Sequence, residues 1–326
     1  LAGSASRKWN FLNWPTQPRK KPPKLNSKMT LYTQAANNIR KTWLLVSVFL
    51  VFIIGLGWVF SRAYHSSNIL VFAVVFSLIM NVGSFWYSDK IALAMSKAKP
   101  IEKQDSPELY RLVENLCITA GLPLPKIYII PSAQPNAFAT GRNKNHAVIA
   151  VTSGLLEKLD RAELEGVVAH ELSHIGNKDM LLMTMVVVLV GFVSLAADMF
   201  TRSMFFGGLR GDSDSDDRGA GSILAIVGIV LAILSPLVAM LIQLAISRKR
   251  EFLADASGAL LTRYPDGLAR ALEKISADNS PMRTASTATA HLFIANPFRG
   301  KKISSLFMTH PPIKQRVAAL REMSAK

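Results

Sequence analysis

Four long apolar runs dominate the sequence, and polar or charged stretches separate them. The runs cover residues 43–60, 69–87, 180–200 and 223–246. Each approaches the roughly 20 residues that an α-helix needs to cross about 30 Å of hydrocarbon. The pattern predicts four transmembrane helices in two hairpins, 43–88 and 180–246. Because the second pair of runs contains Asp198, Pro236 and Gln243, a buried or re-entrant hairpin is the alternative for that pair.

The polar segments between these runs carry the periodicities of a small α+β domain. Residues 105–121 begin with Asp-Ser-Pro and repeat leucine and valine at helical spacing, which predicts an amphipathic helix. The β-branched runs KIYII and HAVIAV predict two strands. A further helix begins near Asp160, where Glu163 completes an approximate capping box. The predicted fold is a mainly α membrane protein with a soluble α+β domain formed by residues 89–179 and 247–326.

The composition agrees with a membrane protein. Half of the 326 residues are hydrophobic, which is unusual for one soluble domain of this length. The net charge of +16 comes from basic residues beside the apolar runs and not from a stripe interleaved with aromatics, so nucleic acid is not an expected partner. The one cysteine, Cys117, excludes an intramolecular disulfide and any zinc site that requires several thiolates.

The basic residues also predict an orientation in the membrane. Lysine and arginine are abundant before the first run and between the second and third runs, whereas the connection 61–68 holds only Arg62. The connection 201–222 carries four aspartates in GDSDSDDRG. Since cytoplasmic loops carry the excess of positive charge, both termini and the soluble domain are predicted to be cytoplasmic. Residues 1–42 form a basic tail, of which 1–28 are predicted to be a disordered extension outside the fold.

The segment GVVAHELSHIGNKD, residues 166–179, immediately precedes the third apolar run. On a helix, His170 and His174 project from neighbouring turns toward one point, where two neutral imidazoles could hold a zinc ion. Glu171 is rotated by about 100 degrees from His170, which suits a general base beside the metal and not a ligand. A catalytic zinc also needs a third protein ligand and one open position.

The third ligand is expected in SRKREFLADASG, just after the fourth apolar run. Glu251 could complete a set of two histidines and a glutamate, and Asp255, one turn later, could accept a hydrogen bond from a ligating imidazole. An even number of membrane crossings between His174 and Glu251 would return the chain to the side that it left. In the alternative interpretation, this segment is only an interfacial cluster in which Glu251 pairs with Arg248.

These motifs carry a resemblance to a known family. HELSH, the two following apolar runs, SRKREFLAD and THPPIKQRVAAL closely resemble the HtpX heat-shock metalloproteases of bacterial inner membranes, relatives of the CAAX prenyl endopeptidases. The resemblance covers about residues 29–326 and implies a gluzincin-type, zincin-like catalytic domain with one zinc ion per chain. It also implies proteolytic quality control of membrane proteins as part of a stress response. The implied site residues are the ligands His170, His174 and Glu251, the catalytic acid and base Glu171, and Asp255 behind the ligands.

Two further features concern the transition state and the substrate. The oxyanion formed during peptide hydrolysis needs a stabilising donor, for which His310 and His291 are candidates, although a surface or helix-capping role is as compatible with either. Substrate could pair as an added strand along the edge residues Asn136, Ala137, Phe138 and Ala139. The alternative for this segment is an ordinary turn built around Asn136 and Gly141.

Two other functions are compatible with the sequence. A CAAX prenyl-type endopeptidase uses the same zinc chemistry but usually has more than four spans. A membrane scaffold with a structural zinc would need a closed site, usually with four protein ligands, whereas three convincing ligands and a well-placed glutamate are present. The sequence therefore predicts a zinc metalloendopeptidase of the inner membrane. Its predicted partners are membrane lipid and membrane-protein or unfolded polypeptide substrates.

Overall fold

The computed structural model describes residues 31–63, 65–191, 248–282, 284–286, 288–298 and 311–324. Several predicted features lie outside the described residues: the extension 1–28, the end of the third apolar run, the fourth apolar run and His310. The division into two membrane hairpins and a two-part domain therefore stays a prediction.

Two long helices contain the first two apolar runs. They are α1, Leu31–Ala63, and α2, Ser67–Met95, and they pack against each other. A methyl group added to Gly57 would lie 2.2 Å from the Cβ atom of Ala73, so only glycine allows this approach. The outer surface of α2 exposes large apolar side chains, among them Val71, Phe72, Val75, Ile79 and Val82. Among the described residues, α2 is the one continuous helix that is both long and apolar enough to cross a membrane.

A small mixed sheet forms the centre of the remaining structure. Its elements are β1, Lys99–Pro100, then helix α3, Pro107–Ala120, and the strands β2, Lys126–Ile130, β3, Ala137–Thr140, and β4, Val148–Thr152. The strand order is β1-β2-β4-β3, with β2 parallel and β3 antiparallel to β4. The two predicted strands correspond to β2 and β4, and β3 places the segment NAFATG at an edge of the sheet.

Both faces of the sheet are covered, which explains the continuous apolar sequence of β4. Ile149 and Val151 belong to a core shared with α3 and with the helix that carries HELSH. Val148 and Ala150 belong to a second core, which is shared with α1 and the end of α2. The sheet therefore lies between α3 and the HELSH helix on one face and α1 and the end of α2 on the other.

The HELSH motif lies on a well-capped helix. After α4, Ser153–Lys158, the chain forms α5, Arg161–Gly176. The predicted capping box is confirmed, because the Asp160 carboxylate accepts a hydrogen bond from the Glu163 N–H at 2.9 Å and the Glu163 carboxylate accepts one from the Asp160 N–H at 2.9 Å. This cap fixes where α5 begins, and so fixes the direction of its histidines.

The third apolar run begins as a buried helix. This helix, α6, Met180–Gly191, follows α5 after a bend of 89°. Nearly all of its side chains are buried, in a core that includes Leu45 and Phe49 of α1 and Phe138 of β3. Packing inside the protein therefore accounts for its apolar sequence, unlike that of α2. A transmembrane helix over 180–200 is not confirmed by the described part of that run.

Three more helices complete the described structure. They are α7, Arg248–Thr262, α8, Pro265–Ala277, and α9, Ile313–Ser324. Helix α5 packs against α7 and α8. A Cβ atom on Gly258 of α7 would lie 2.9 Å from the main-chain nitrogen of His170. The missing side chain thus lets α7 approach the HELSH turn closely, which brings Glu251 to the histidines.

Candidate metal centre

Helices α5 and α7 bring three buried side chains to one point. The potential ligand atoms of His170, His174 and Glu251 all lie within 4.8 Å of one another. The two Nε2 atoms of the histidines are 3.2 Å apart. The Glu251 carboxylate lies 3.6 Å from Nε2 of His174 and 3.9 Å from Nε2 of His170. The predicted convergence of these three residues is therefore present in the structure.

The chemistry of this donor set fits a zinc ion. Two imidazole nitrogens and one carboxylate are borderline and hard donors of the kind that zinc accepts, and catalytic zinc sites use three protein ligands with one open position. Within the described residues, the group contains these three donors and no further histidine, cysteine or carboxylate. A structural zinc site would usually add a fourth protein ligand. The described donors therefore supply the three protein ligands that a catalytic zinc site uses.

The outer side of His170 is held by Asp255, as predicted from the spacing on α7. Nδ1 of His170 lies 2.9 Å from Oδ1 of Asp255, and both side chains are buried. In the metal-free protein, burial lowers the pKa of His170 to about 4, although the hydrogen bond to Asp255 acts in the opposite direction. Burial alone would raise the pKa of Asp255, but Arg316 and the bond to His170 outweigh it and hold this pKa at about 2.

Arg316 of α9 is a site residue to which the sequence reasoning gave no role. Its side chain is fully buried, and its Nε and Nη2 donate to the two carboxylate oxygens of Asp255 at 2.8 and 2.6 Å. Its Nη1 lies 3.5 Å from Glu251 and donates to the carbonyl of Ile294 at 3.2 Å. One guanidinium thus contacts both Glu251, a ligand candidate, and Asp255, the carboxylate that holds the ligand candidate His170. A signal was available, since Arg316 lies four residues before Leu320, on the apolar face of the helix.

The outer side of His174 is held by a second carboxylate, Asp179. Nδ1 of His174 lies 3.1 Å from Oδ2 of Asp179, whose other oxygen lies 3.7 Å from Nη1 of Arg250. Burial lowers the pKa of His174, but the hydrogen bond to Asp179 and the charge of Glu251 outweigh burial and raise it to about 9 in the metal-free protein. Asp179 was not among the predicted site residues. Nothing in the spacing indicates that the chain turns there and brings this carboxylate back.

Glu171 lies between the three ligands and the edge strand. Its side chain is buried, and the main-chain N–H of Ala139 in β3 donates to its carboxylate. Burial raises the pKa of Glu171 to about 7, and the neighbouring Glu251 charge adds to this increase, while His174 and the Ala139 N–H oppose it. A carboxyl group with a pKa near neutrality can both accept and donate a proton at physiological pH.

The predicted substrate edge is only partly accessible. The Asn136 carbonyl accepts from the Thr152 N–H at 3.0 Å, and the Asn136 amide donates to the carbonyl of Ala295 at 2.9 Å. The outward carbonyl of Ala137 already accepts from the N–H of Ile294 at 3.0 Å. Segment 294–295 therefore occupies the edge at Asn136 and Ala137, which corrects the prediction that peptide could pair there. The N–H of Ala139 already donates to Glu171, so only the carbonyl of Ala139 stays a candidate for such pairing. Phe138 directs its buried ring into the core.

His291 and His310 were the candidates for stabilising the oxyanion. His291 is buried, and its Nε2 donates to the main-chain carbonyl of Met183 in α6 at 2.8 Å. This contact directs Nε2 of His291 to the core helix. His310 lies outside the described residues, so the assignment of either residue to the oxyanion stays a prediction.

Comparisons with known proteins agree with the geometry. Residues 103–324 match the model of peptidase family M48. A protease HtpX homolog from Syntrophobacter fumaroxidans is 48% identical over 285 residues, which cover 87% of this chain and 98% of the relative. A protease HtpX homolog from Thermococcus sibiricus is 47% identical over 286 residues, which cover 86% of this chain and 96% of the relative.

Among solved structures, the chain is similar to the Ste24p of S. mikatae. The TM-score is 0.46 at 21% sequence identity, over 89% of this chain and 67% of that one. The family assignment is based on the sequence matches, which confirm the resemblance carried by HELSH, SRKREFLAD and THPPIKQRVAAL. The chain belongs to peptidase family M48, and within that family to the HtpX-type proteases.

Proposed function

We propose that this protein is a membrane zinc endopeptidase that cleaves misfolded or damaged membrane proteins at the cytoplasmic face of the inner membrane. Membership of the HtpX-type proteases makes it a metalloprotease. One observation supports the chemistry most strongly: buried His170, His174 and Glu251 converge to within 4.8 Å beside the buried Glu171. Three ligands and an adjacent general base are what metal-assisted hydrolysis of a peptide bond requires.

The proposed mechanism assigns proton transfer to Glu171. A zinc ion held by His170, His174 and Glu251 would supply Lewis-acid activation of water and of the scissile carbonyl. The Glu171 carboxylate takes a proton from the attacking water, and the resulting carboxylic acid returns that proton to the nitrogen of the leaving amine. The Ala139 N–H orients the carboxylate from the side of the edge strand.

Replacement of Glu171 by glutamine tests this mechanism. We expect Glu171→Gln to abolish cleavage of an unfolded membrane-protein substrate, because the amide cannot accept the proton of water, while the protein still binds zinc through its three ligands. Cleavage and zinc content would be measured on the full chain in lipid bilayers. Glu165→Gln is the matched control, since Glu165 lies on the same helix but pairs with Arg161 at the surface. Full activity of Glu171→Gln would exclude the mechanism.

The scaffold alternative makes a different prediction for the metal. A structural zinc would stabilise the fold without supporting hydrolysis, so the chain would remain inactive at any zinc concentration. We expect instead that His170→Ala loses both zinc and cleavage, and that Glu171→Gln loses cleavage only. Equal loss of zinc in both variants would mean that Glu171 serves as a ligand.

The proposed orientation is supported by the charge pattern and by the exposed apolar surface of α2. It is tested by single cysteines at His65, in the connection between α1 and α2, and at Lys103, in the soluble domain. Both positions are exposed, and the natural cysteine, Cys117, is buried and can be replaced by serine. A reagent that does not cross membranes should label His65→Cys from outside intact cells and Lys103→Cys only after lysis. The reverse pattern would contradict the orientation.

The proposed substrate preference also follows from this location. We expect cytoplasmic loops or tails of membrane proteins to be cleaved faster than equally unfolded soluble polypeptides, because the bilayer holds the former beside the site. The two substrate classes would be compared in the same bilayer preparation. Equal rates would contradict a preference set by the membrane.

A further inference from the structure

The corner between α5 and α6 has an unusual backbone path. Helix α5 ends at Gly176, and Lys178 adopts a left-handed conformation with φ of 56°. The N–H of Asp179 donates back to the carbonyl of His174 at 3.1 Å, and the carbonyl of Asp179 accepts the N–H of Met183 as α6 begins. Asp179 therefore lies directly before α6 and close to His174, a metal-ligand candidate.

The side chain of Asp179 is turned back toward α5. It is 1% exposed, and its Oδ2 lies 3.1 Å from Nδ1 of His174. A neutral imidazole carries its proton on one nitrogen only, and a carboxylate beside Nδ1 holds the proton there. Nε2 of His174 then lies 3.2 Å from Nε2 of His170 and 3.6 Å from the carboxylate of Glu251. Asp179 thus keeps the proton on Nδ1, so that Nε2 is the nitrogen that gives up its proton when a metal binds at this point.

Arg250 supplies the countercharge for Asp179. Its Nη1 lies 3.7 Å from Oδ1 of Asp179, and its side chain is 8% exposed. Arg250 directly precedes Glu251 on α7, whereas Asp179 directly precedes Met180 of α6. The pair therefore joins the two ends of segment 180–249, through which the chain leaves one ligand-bearing helix and returns to the other.

We propose that Asp179 and Arg250 are positioning residues for the metal: Asp179 fixes the orientation of His174, and Arg250 holds Asp179 while joining the ends of segment 180–249 beside the ligands. The inference depends on the proposed function, because it concerns the same zinc site. It goes beyond that function because it assigns the support of His174 to Asp179, the residue directly before α6. Neither residue contacts the reacting atoms in this scheme, so both act through His174.

The first test measures zinc affinity of the full chain by competition with a chromogenic chelator. We expect Asp179→Ala to weaken zinc binding by about 10- to 100-fold, the range typical of lost partners behind metal-ligating histidines. Asp179→Asn keeps an oxygen acceptor for Nδ1 of His174 and should therefore reduce zinc affinity less than Asp179→Ala. Asp278→Asn is the matched control, because Asp278 also lies at a helix end and pairs with a cation, Lys158, but on another part of the molecule.

A second readout separates orientation of the ligand from general stability. Cobalt substituted for zinc reports ligand geometry through its visible absorption, so Asp179→Asn should shift that spectrum while Asp278→Asn leaves it unchanged. Once saturated with zinc, Asp179→Asn should show a lower kcat with little change in KM, because substrate contacts are untouched. If Asp179→Ala does not fold, Asp179→Asn decides the question. Unchanged zinc affinity and an unchanged cobalt spectrum in Asp179→Asn would overturn the proposal.

A third test asks whether the two residues act as a unit. Arg250→Gln should weaken zinc binding less than Asp179→Ala, and the double variant should be no weaker than Asp179→Ala alone. Losses that multiply independently would exclude action of Arg250 through Asp179. Failure of this proposal can be distinguished from failure of the proposed function. Full activity of Glu171→Gln would exclude the catalytic mechanism, whatever zinc affinity the Asp179 variants show.

Discussion

The two histidines of the candidate metal centre lie one turn apart on the same helix, yet they are supported from different parts of the molecule. His170 is backed by Asp255 of α7, which Arg316 of α9 holds through contacts of 2.6 and 2.8 Å. His174 is backed by Asp179 at the corner before α6, which Arg250 approaches at 3.7 Å. The C-terminal helices therefore support one ligand candidate, and the two residues that flank segment 180–249 support the other. The site is complete only when both ends of that segment are in place.

The two supporting carboxylates, Asp255 and Asp179, also differ in how strongly an arginine holds them. Arg316 is fully buried and lies beside two carboxylates, Asp255 and Glu251. Arg250 is slightly exposed and makes a longer contact with Asp179. A charge-assisted, bidentate contact away from water is stronger than a longer, single one. We therefore expect the His170 side to be the more sensitive of the two sides to mutation.

The largest effect is expected from removal of Arg316. Arg316→Ala leaves Asp255 and Glu251 buried without their shared cation, and the loss of one partner of a buried ion pair typically costs about 3–5 kcal/mol. We expect the free energy of unfolding to fall by this amount and cleavage to be lost. Chemical denaturation of the zinc-free chain would measure the change.

A control on the same helix separates this effect from the loss of any arginine. Arg321 also lies on α9, but it is half-exposed and pairs with Glu273 at the surface. Arg321→Ala should cost at most about 1 kcal/mol. If Arg316→Ala were as mild as this control, the C-terminal helix would not support His170, and the asymmetry between the two sides would disappear.

An intermediate effect is expected when Asp255 becomes neutral. Asp255→Asn weakens the hydrogen bond to His170 and leaves Arg316 with less negative charge nearby, so zinc affinity should fall by about 10- to 100-fold. Asp179→Asn should reduce zinc affinity less. Arg250 is less buried than Arg316, so its interaction free energy falls less when its partner becomes neutral. Competition with a chelator, run on both variants in parallel, would measure the difference. A larger loss in Asp179→Asn would reverse the proposed order.

The sequence predicted the parts of this site that helical periodicity determines. His170 and His174 on α5, and Glu251 and Asp255 on α7, are each four residues apart, and that spacing places each pair on one face whatever surrounds the helix. Arg316 and Asp179 could not be located in this way. The position of Arg316 depends on how α9 packs against α7, and that of Asp179 depends on a left-handed residue at a corner between helices.

The fold shows the same distinction between local pattern and packing. β2 and β4 were predicted from β-branched runs, whereas β3 is a short strand whose existence depends on pairing with β4. Hydropathy predicted a membrane span both for α2 and for the third apolar run, with a buried or re-entrant hairpin as the alternative for the third run only. Helix α2 exposes its apolar residues, whereas α6 buries them in a core. This difference depends on the neighbouring elements and not on composition.

The smallest effect is expected from exchanging each arginine for lysine, which keeps the charge and removes the planar fork. Arg316→Lys cannot bridge both oxygens of Asp255 and still reach Glu251 and the carbonyl of Ile294, so zinc affinity should fall by about tenfold. Arg250→Lys should change it by less than about threefold, because at 3.7 Å Arg250 acts on Asp179 mainly as a charge. Parallel chelator titrations would measure both. Equal losses would mean that Arg250 also depends on directional contacts, and the two sides of the site would then be held in the same way.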